Sequence, residues 1–220
     1  MTSGPSRRAL LATAMTTFVA TPLHAQRGDR VTRIDFESTS VGSLPAGITP
    51  MLTGSGGPVA WSVIDDPGAP AGSKVLAQTS KDKTDYRFPL AVFDQPVLQD
   101  LDIAVRFKPV SGEVDRAAGI VVRLTDRNNY YVVRANALED NVRLYKVVAG
   151  DRGQFAGANA KVQSGVWQEL RLTLVGNRFE VFFNGRSLYA ATDGTFSAAG
   201  RVALWTKADS VTYFDDLRIA

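Results

Sequence analysis

Cysteine is absent from this 220-residue chain, and histidine occurs once, as His24. Without cysteine the protein has no disulfide, no thiol nucleophile and no thiol that could carry a lipid. After residue 24 there is also no imidazole for a Ser-His-Asp relay, and no imidazole or thiolate ligand for zinc, copper or haem iron. Any chemistry must therefore use carboxylates, lysine, tyrosine or a hard, oxygen-bound ion such as calcium.

Long apolar runs are also scarce, and the clearest one lies at the start of the chain. Arg7 and Arg8 precede the apolar, threonine-containing run at residues 9–20, and the small residue Ala25 follows shortly after it. This order is typical of a cleavable secretory signal, and the run is too short to span a bilayer. The paired arginines resemble the twin-arginine export signal, but Ala12 stands where that signal has lysine, so the general secretory route stays open. We predict that residues 1–25 are removed and that the protein is periplasmic or extracellular.

The remaining segment, residues 26–220, carries almost no net charge. Without the two arginines of the signal it has 23 basic and 22 acidic residues. A nearly neutral protein has no overall field that would collect nucleic acid or an anionic membrane surface. We therefore expect no nucleic-acid partner and no transmembrane span in the mature chain. Its length suits a single domain with a sizeable core.

Short strands separated by turn residues account for most of this segment. In the stretch from Leu101 to Lys108, apolar and polar residues alternate with the two-residue period of a half-buried strand. Asn184-Gly185 between two apolar runs predicts a tight β-hairpin. Residues 41–58 and 149–165 are rich in glycine and are predicted to be long loops. The pattern predicts an all-β fold, an antiparallel β-sandwich of the jelly-roll type, formed by residues 26–220 as one domain.

The second half of the chain resembles the concanavalin A-like lectin/glucanase superfamily. Within it, the likeness is to LamG-like and 3-keto-disaccharide hydrolase-type domains of secreted bacterial proteins. The resemblance rests on GIVVR at 119–123, NNYYVVR at 128–134, RLYKV at 143–147, WQELR at 167–171, VFFNG at 181–185, GRVALW at 200–205 and YFDDLRI at 213–219, with DFE at 35–37 and GSLPAG at 42–47 at the entry. The resemblance implies a concanavalin A-like jelly roll and leaves the activity open, because the superfamily includes lectins, hydrolases and adhesion modules.

The glucanase members of this superfamily carry E-x-D-x-x-E on one strand, and this chain lacks it. The nearest match begins at Glu113 and Asp115, but Ala118 stands in place of the last acid. Glu139-Asp140 has the wrong spacing. A retaining hydrolase needs two carboxyl groups about 5–5.5 Å apart. No catalytic residue is therefore predicted.

Polar residues opposite the apolar phase of the central strands form a candidate ligand-binding stripe. Planar aromatic side chains stack on sugar rings, while arginine and asparagine form hydrogen bonds with hydroxyl groups. The alternative is an ordinary solvent-facing sheet surface with arginine stems lying over it. The candidates are Arg123, Arg134, Asn136, Arg143, Tyr145, Trp205 and Lys207.

The closing strand, predicted at Val211–Ile219, places Asp215 in its apolar phase, next to Asp216. A buried carboxylate is unfavourable unless it is paired or bound to a metal. Asp35 and Glu37 fall on the predicted first strand, which commonly neighbours the last strand in sandwiches. The resemblance implies a structural calcium here, held by Asp35, Glu37, Asp215 and Asp216. The alternative is a hydrogen bond or a salt bridge, for example with Arg33 or Arg218.

These observations predict an exported, noncatalytic carbohydrate-binding or adhesion-type module with a glycan as its partner. No cofactor is expected to be required, and the structural Ca²⁺ considered above is a separate prediction. One alternative is an enzyme acting on a glycoside or keto-sugar. The other is a structural envelope protein that binds other proteins.

Overall fold

The computed structural model describes residues 1, 2, 4 and 31–220, so the predicted signal segment lies almost entirely outside the described residues. The described chain consists of strands joined by turns and loops, and no helix in it is long and apolar enough to cross a membrane. The strands are β1 Thr32–Ile34, β2 Ile48–Gly54, β3 Trp61–Asp65, β4 Lys74–Gln78, β5 Arg87–Leu98, β6 Leu101–Ser111, β7 Ala117–Asp126, β8 Asn129–Asn136, β9 Asn141–Val148, β10 Asp151–Asn159, β11 Gln168–Val175, β12 Arg178–Phe183, β13 Arg186–Thr192, β14 Gly200–Trp205 and β15 Val211–Ile219.

The strands form two antiparallel sheets. Sheet A has eight strands in the order β13-β12-β11-β6-β15-β4-β3, with β1 paired to β15. Sheet B has seven strands in the order β10-β9-β8-β7-β14-β5-β2. The antiparallel β-sandwich predicted from the sequence is confirmed.

The main core lies between the two sheets and follows the two-residue period of the strands. On β6, Leu101, Ile103, Val105 and Phe107 point into it and are almost fully buried, and matching positions of every neighbouring strand face them. Burying alternate apolar side chains of both sheets is the main source of stability in a sandwich.

The predicted hairpin forms between β12 and β13. Asn184 and Gly185 have φ angles of 48° and 76°. Positive φ at both central residues is the property of the type I′ turn that Asn-Gly favours.

Both predicted long loops contain an edge strand of sheet B. Residues 41–58 include β2, which pairs with β5, and residues 149–165 include β10, which pairs with β9. Glycine and proline lower strand propensity, but an edge strand tolerates them because only one of its sides pairs with a neighbour. The loop predictions were wrong at these two places for that reason.

Sheet B curls strongly, so that its two edges approach each other across the face turned away from sheet A. The hydroxyl oxygen of Thr53 on edge strand β2 lies 3.0 Å from the hydroxyl oxygen of Tyr130 on β8. Tyr86, just before β5, donates a hydrogen bond of 2.9 Å to the carbonyl of Gly150, between β9 and β10. Several strands separate these partners within the sheet, and a flat sheet would hold them much farther apart. We call this face the concave face of sheet B.

Candidate functional site on the concave face of sheet B

The concave face of sheet B is filled by its own apolar side chains, which form a second hydrophobic cluster. Met51 is the partly buried apolar residue that packs against it within the described part of the chain. Because the edges of the sheet curl together, these side chains are buried without a further layer of secondary structure. The members are Phe88, Leu90, Val92, Ala117, Val121, Leu124, Tyr130, Val132, Tyr145, Val147, Ala203 and Trp205.

Trp205, the last residue of β14, lies on this face and is completely buried. Its ring stacks on Phe88 with the centroids 5.4 Å apart. Trp205 pairs in register with Gly119 of β7, where an added Cβ would lie 3.1 Å from the indole ring. A side chain at position 119 would therefore press on the indole, and glycine leaves room for it.

Arg152 of β10 lies over the aromatic side chains of the concave face. The central carbon of its guanidinium group is 4.7 Å from the ring centroid of Phe88, 4.6 Å from that of Tyr145 and 5.8 Å from that of Trp205. A guanidinium group at these distances is attracted to the negative faces of the rings. Arg152 thus closes one side of the cluster.

A group of hydrogen-bonded polar side chains lies at one end of the concave face, where the strands meet the loops. Lys207 Nζ is 3.1 Å from Asp115 Oδ2, and Asn136 donates a hydrogen bond of 2.8 Å to the other oxygen of Asp115. Lys207 also pairs with the exposed Asp85. We call the following residues the polar cluster: Asp115, Arg134, Asn136, Glu139, Asn141 and Lys207.

Arg134 organises the other half of the polar cluster. It donates to Glu139 at 2.8 Å and to the side-chain oxygen of Asn141 at 2.6 Å, and Asn141 donates to Glu139 at 2.9 Å. The Arg134 guanidinium also lies 5.5 Å from the ring centroid of Tyr145. An arginine held by two acceptors and one ring has little conformational freedom left.

Burial and charge act differently on the two carboxyl groups of the polar cluster. Burial raises the pKa of Asp115, and the nearby charges of Lys207 and Arg134 only partly oppose this effect. Glu139 is half exposed; partial burial opposes its ionisation, but the hydrogen bonds from Arg134 and Asn141 bring its pKa below the ordinary value.

The structure places most of the residues predicted to bind a ligand on this face. Arg134, Asn136 and Lys207 belong to the polar cluster, and Tyr145 and Trp205 belong to the adjoining apolar cluster. Arg143 pairs in register with Arg134 and hydrogen-bonds Asn159 of the edge strand at 2.9 Å.

Arg123 is the exception, because a β-bulge interrupts the alternation of β7 at this point. The register with β8 shifts between Val122 and Asp126, and Arg123 has a φ angle of 50°. Its guanidinium group donates to the carbonyls of Gln99 and Phe196 at 3.0 and 2.6 Å. Arg123 therefore ties loops together and does not lie with the other candidates.

Sequence reasoning missed several residues of the face. Asp115 and Glu139 were considered only as parts of a glucanase motif. Asn141 could have been found, because it precedes Arg143 by two residues and shares its phase. Arg152 gave no usable signal, since its strand was predicted to be a loop.

The carboxylates proposed for calcium do not converge. No group of three or more acidic side chains that could hold a metal ion occurs in residues 31–220. Glu37 accepts hydrogen bonds of 2.8 and 2.6 Å from the N–H groups of Ser73 and Lys74. Asp216 pairs with Arg33 at 2.6 Å, and the side chain of Asp35 accepts a hydrogen bond from the N–H of Glu37.

Structural calcium therefore stays a prediction, tested by melting the protein with calcium and with a chelator. If Asp35, Glu37, Asp215 and Asp216 hold the ion, calcium raises the melting temperature, because binding to the folded state alone stabilises it. An identical melting temperature with calcium and with the chelator would show that these residues hold no structural calcium ion.

Asp215 lies on the opposite face of β15 from the one predicted. A β-bulge follows it, where Asp216 has a φ angle of 48°, so that Phe214 and Leu217 both point into the main core. Asp215 instead accepts hydrogen bonds of 2.7 Å from the N–H groups of Ala71 and Asp216. Its side chain is buried beneath the loop that contains Ala71.

We expect Asp215 to make the stability depend on pH. Burial raises its pKa from 3.8 to about 6, so the folded state holds this proton more tightly than the unfolded state. The resulting stability is present in full below about pH 4 and is lost as the pH rises through about 6. Allowing for solvent screening, the free energy of unfolding of the wild type should fall by about 2 kcal/mol relative to Asp215→Asn between pH 4 and pH 7.

Urea unfolding at several pH values measures this difference. Asp65→Asn, at an exposed strand end, is the matched control and should show a constant difference from the wild type. A constant difference for Asp215→Asn as well would contradict the assignment.

Comparison with known proteins supports the fold. No family model and no curated protein matches the chain. Among solved structures, the cellulose-induced protein Cip1 superimposes with a TM-score of 0.63 at 14% identity, covering 86% of this chain and 96% of that one. Carbohydrate-binding module CBM66 from Bacillus subtilis gives a TM-score of 0.59 at 19% identity, covering 76% and 92%.

A third match is a protein of unknown function from Shewanella oneidensis MR-1, with a TM-score of 0.54 at 16% identity, covering 86% of this chain and 84% of that one. Identities this low establish a common fold and nothing finer. The likeness to 3-keto-disaccharide hydrolase-type domains stays a prediction.

Proposed function

We propose that the chain is an exported, noncatalytic carbohydrate-binding module whose glycan ligand contacts the polar cluster. The observation that carries this proposal is the arrangement around Tyr145. Two guanidinium groups, from Arg134 and Arg152, lie within 5.5 Å of its ring centroid. An aromatic ring beside fixed donors and acceptors matches the alternating C–H and hydroxyl surfaces of a sugar.

The polar cluster also reaches the solvent. The side chain of Glu139 is 50% exposed and that of Asp85, the partner of Lys207, is 74% exposed, while Lys207 itself is nearly buried. Buried groups hold the exposed ones in position, so a ligand would meet side chains that are already ordered. Pre-ordered groups lose less entropy on binding. The carbohydrate-binding name of one structural neighbour agrees with this proposal.

A noncatalytic role is favoured because both carboxyl groups of the polar cluster are paired with cations. Asp115 lies against Lys207 and Glu139 against Arg134. One observation favours the alternative of a sugar-cleaving enzyme: burial raises the pKa of Asp115, as is required of a general acid. Each glycan that is found to bind should be incubated with the wild type and, separately, with Asp115→Asn. This experiment distinguishes a noncatalytic module from a sugar-cleaving enzyme. Turnover that only the wild type shows would make the protein an enzyme.

Isothermal titration of the processed chain against a panel of polysaccharides tests binding. Arg143→Ala should weaken the best ligand about tenfold, because it removes a half-buried, charged donor next to Arg134. Arg186→Ala, in the exposed hairpin of sheet A, is the matched control and should bind like the wild type. Absence of heat with every polysaccharide would overturn the proposal.

Export is part of the same proposal. The sequence of residues 1–25, with Arg7 and Arg8 before a short apolar run and Ala25 after it, supports export. N-terminal sequencing of the protein recovered from the periplasm or medium should begin at Gln26. Retention of the intact chain in the cytoplasm would contradict it.

A further inference from the structure

Three arginine side chains gather around Tyr145 on the concave face of sheet B. The guanidinium carbons of Arg134 and Arg152 lie 5.5 and 4.6 Å from the centroid of its ring. Arg143 precedes Tyr145 by two residues on β9, so it shares the same face of the sheet, and it pairs in register with Arg134. Like charges directly opposite each other on neighbouring strands destabilise a sheet. The fold therefore holds three positive charges where they repel one another.

One of these three charges is balanced by a carboxylate. Arg134 pairs with Glu139 at 2.8 Å. The other carboxyl group of the polar cluster is paired with its lysine, and the exposed Asp85 pairs with that same lysine. Within residues 31–220, neither Arg143 nor Arg152 lies within ion-pair distance of a carboxylate, although both side chains are half buried. Two guanidinium groups on this face are thus left without a counter-charge.

Uncharged groups hold both of these arginines in position. Arg143 donates a hydrogen bond of 2.9 Å to the side-chain oxygen of Asn159. Gly157 makes room for the Arg143 stem, because a Cβ added at that glycine would press on it. Arg152 lies over the aromatic rings of the face, and its Nη1 is buried without an acceptor in the described part of the chain. An amide oxygen and aromatic rings orient a guanidinium group but do not cancel its charge.

We propose that Arg143 and Arg152 bind an anionic group of the ligand, so that the glycan is an acidic one whose sugars carry a carboxylate or a sulfate ester. The forked N–H donors of arginine match either group, and hydrogen bonds between charged partners are roughly twice as strong as those between neutral ones. A neutral sugar would leave both positive charges unbalanced. This inference rests on the proposed function, because it names the class of glycan that the polar cluster and its neighbours bind.

Two matched pairs of polysaccharides in the titration panel test the charge of the ligand. Polygalacturonate and its carboxyl-reduced form share one backbone and differ in the carboxylate, while dextran sulfate and dextran differ in the sulfate ester. The processed chain should bind the charged member of one pair at least about tenfold more tightly than the neutral member. The pair that shows this preference distinguishes a carboxylate ligand from a sulfate ligand.

Substitutions that change charge assign the preference to the two arginines. Arg143→Gln and Arg152→Gln should each weaken the charged polysaccharide about fivefold to tenfold and its neutral counterpart much less. Arg152→Lys keeps a cation over the rings but loses the fork, so it should retain part of the preference. Arg178→Gln, at the exposed start of β12 in sheet A, removes the same charge elsewhere and should leave both affinities unchanged.

The outcomes separate this inference from the proposed function. A neutral best ligand in the panel would overturn the acidic glycan and leave carbohydrate binding standing. A preference for the charged polysaccharide that persists in Arg143→Gln/Arg152→Gln would do the same for the assigned site. Absence of heat with every polysaccharide, charged or neutral, would overturn both.

Discussion

Replacing Trp205 by alanine is expected to lower the free energy of unfolding by about 4 kcal/mol, because removing a fully buried aromatic side chain leaves a cavity that the surroundings fill only partly. The indole is stacked on Phe88 and lies over Gly119, so no neighbouring side chain can close the space without moving a strand. Urea or thermal unfolding of the processed chain measures the loss. The size of the loss matters because an open groove would leave Trp205 exposed and the substitution nearly harmless.

Trp167→Ala is the control for Trp205→Ala. Trp167 is half buried on the outer face of sheet A, where Lys108 lies 5.1 Å from its ring centroid. It contributes less apolar burial, so its replacement should be clearly less destabilising. Equal losses at the two positions would show that the concave face of sheet B is not filled by its own side chains.

Replacing Lys207 by methionine is expected to lower the free energy of unfolding by about 3 kcal/mol at pH 7, since it leaves Asp115 buried without its cation. Asp115 is 1% exposed and its pKa is already raised by burial. Without Lys207 its pKa rises further, so the carboxyl group takes up a proton as the pH falls. The loss should therefore shrink towards pH 4.

A second substitution distinguishes loss of the ion pair from loss of packing. In Lys207→Met/Asp115→Asn no buried charge remains, so part of the lost stability should return. Lys83→Met, which breaks the exposed pair with Glu113, should change little. If Lys207→Met were as mild as Lys83→Met, the polar cluster would not be the buried, interdependent group described above.

Local sequence patterns predicted the central strands and the hairpin correctly, because each of these features depends on a few neighbouring residues. The two-residue alternation of β6 and the Asn184-Gly185 turn need no information from distant parts of the chain. The edge strands β2 and β10 were missed, because their partners supply the pairing that their own glycine and proline residues discourage.

The errors within strands have a different cause. Counting alternate residues predicts which face of the strand Arg123 and Asp215 occupy. A β-bulge next to each of them breaks this alternation, so the prediction fails. A bulge adds one residue to one strand of a pair, and a single sequence gives no warning of it. Correct faces were obtained wherever the strand was regular, as for Arg134, Asn136 and Tyr145.

The curl of sheet B also lay beyond local reasoning. Contacts such as Thr53 with Tyr130 join residues that are far apart in the chain and separated by several strands. The sequence indicated a polar stripe, which the structure divides into a filled aromatic interior and a polar cluster at its end. Only the tertiary structure shows that Arg152 lies over these aromatic rings and that Tyr86 hydrogen-bonds its backbone.

A crystal structure of the processed chain with its best-binding oligosaccharide tests the central claim most directly. We expect the sugar within hydrogen-bonding distance of Arg134 or Arg143, at the end of the concave face where Glu139 and Lys207 lie. A sugar bound instead on the outer face of sheet A, against Trp167 and Tyr213, would contradict it.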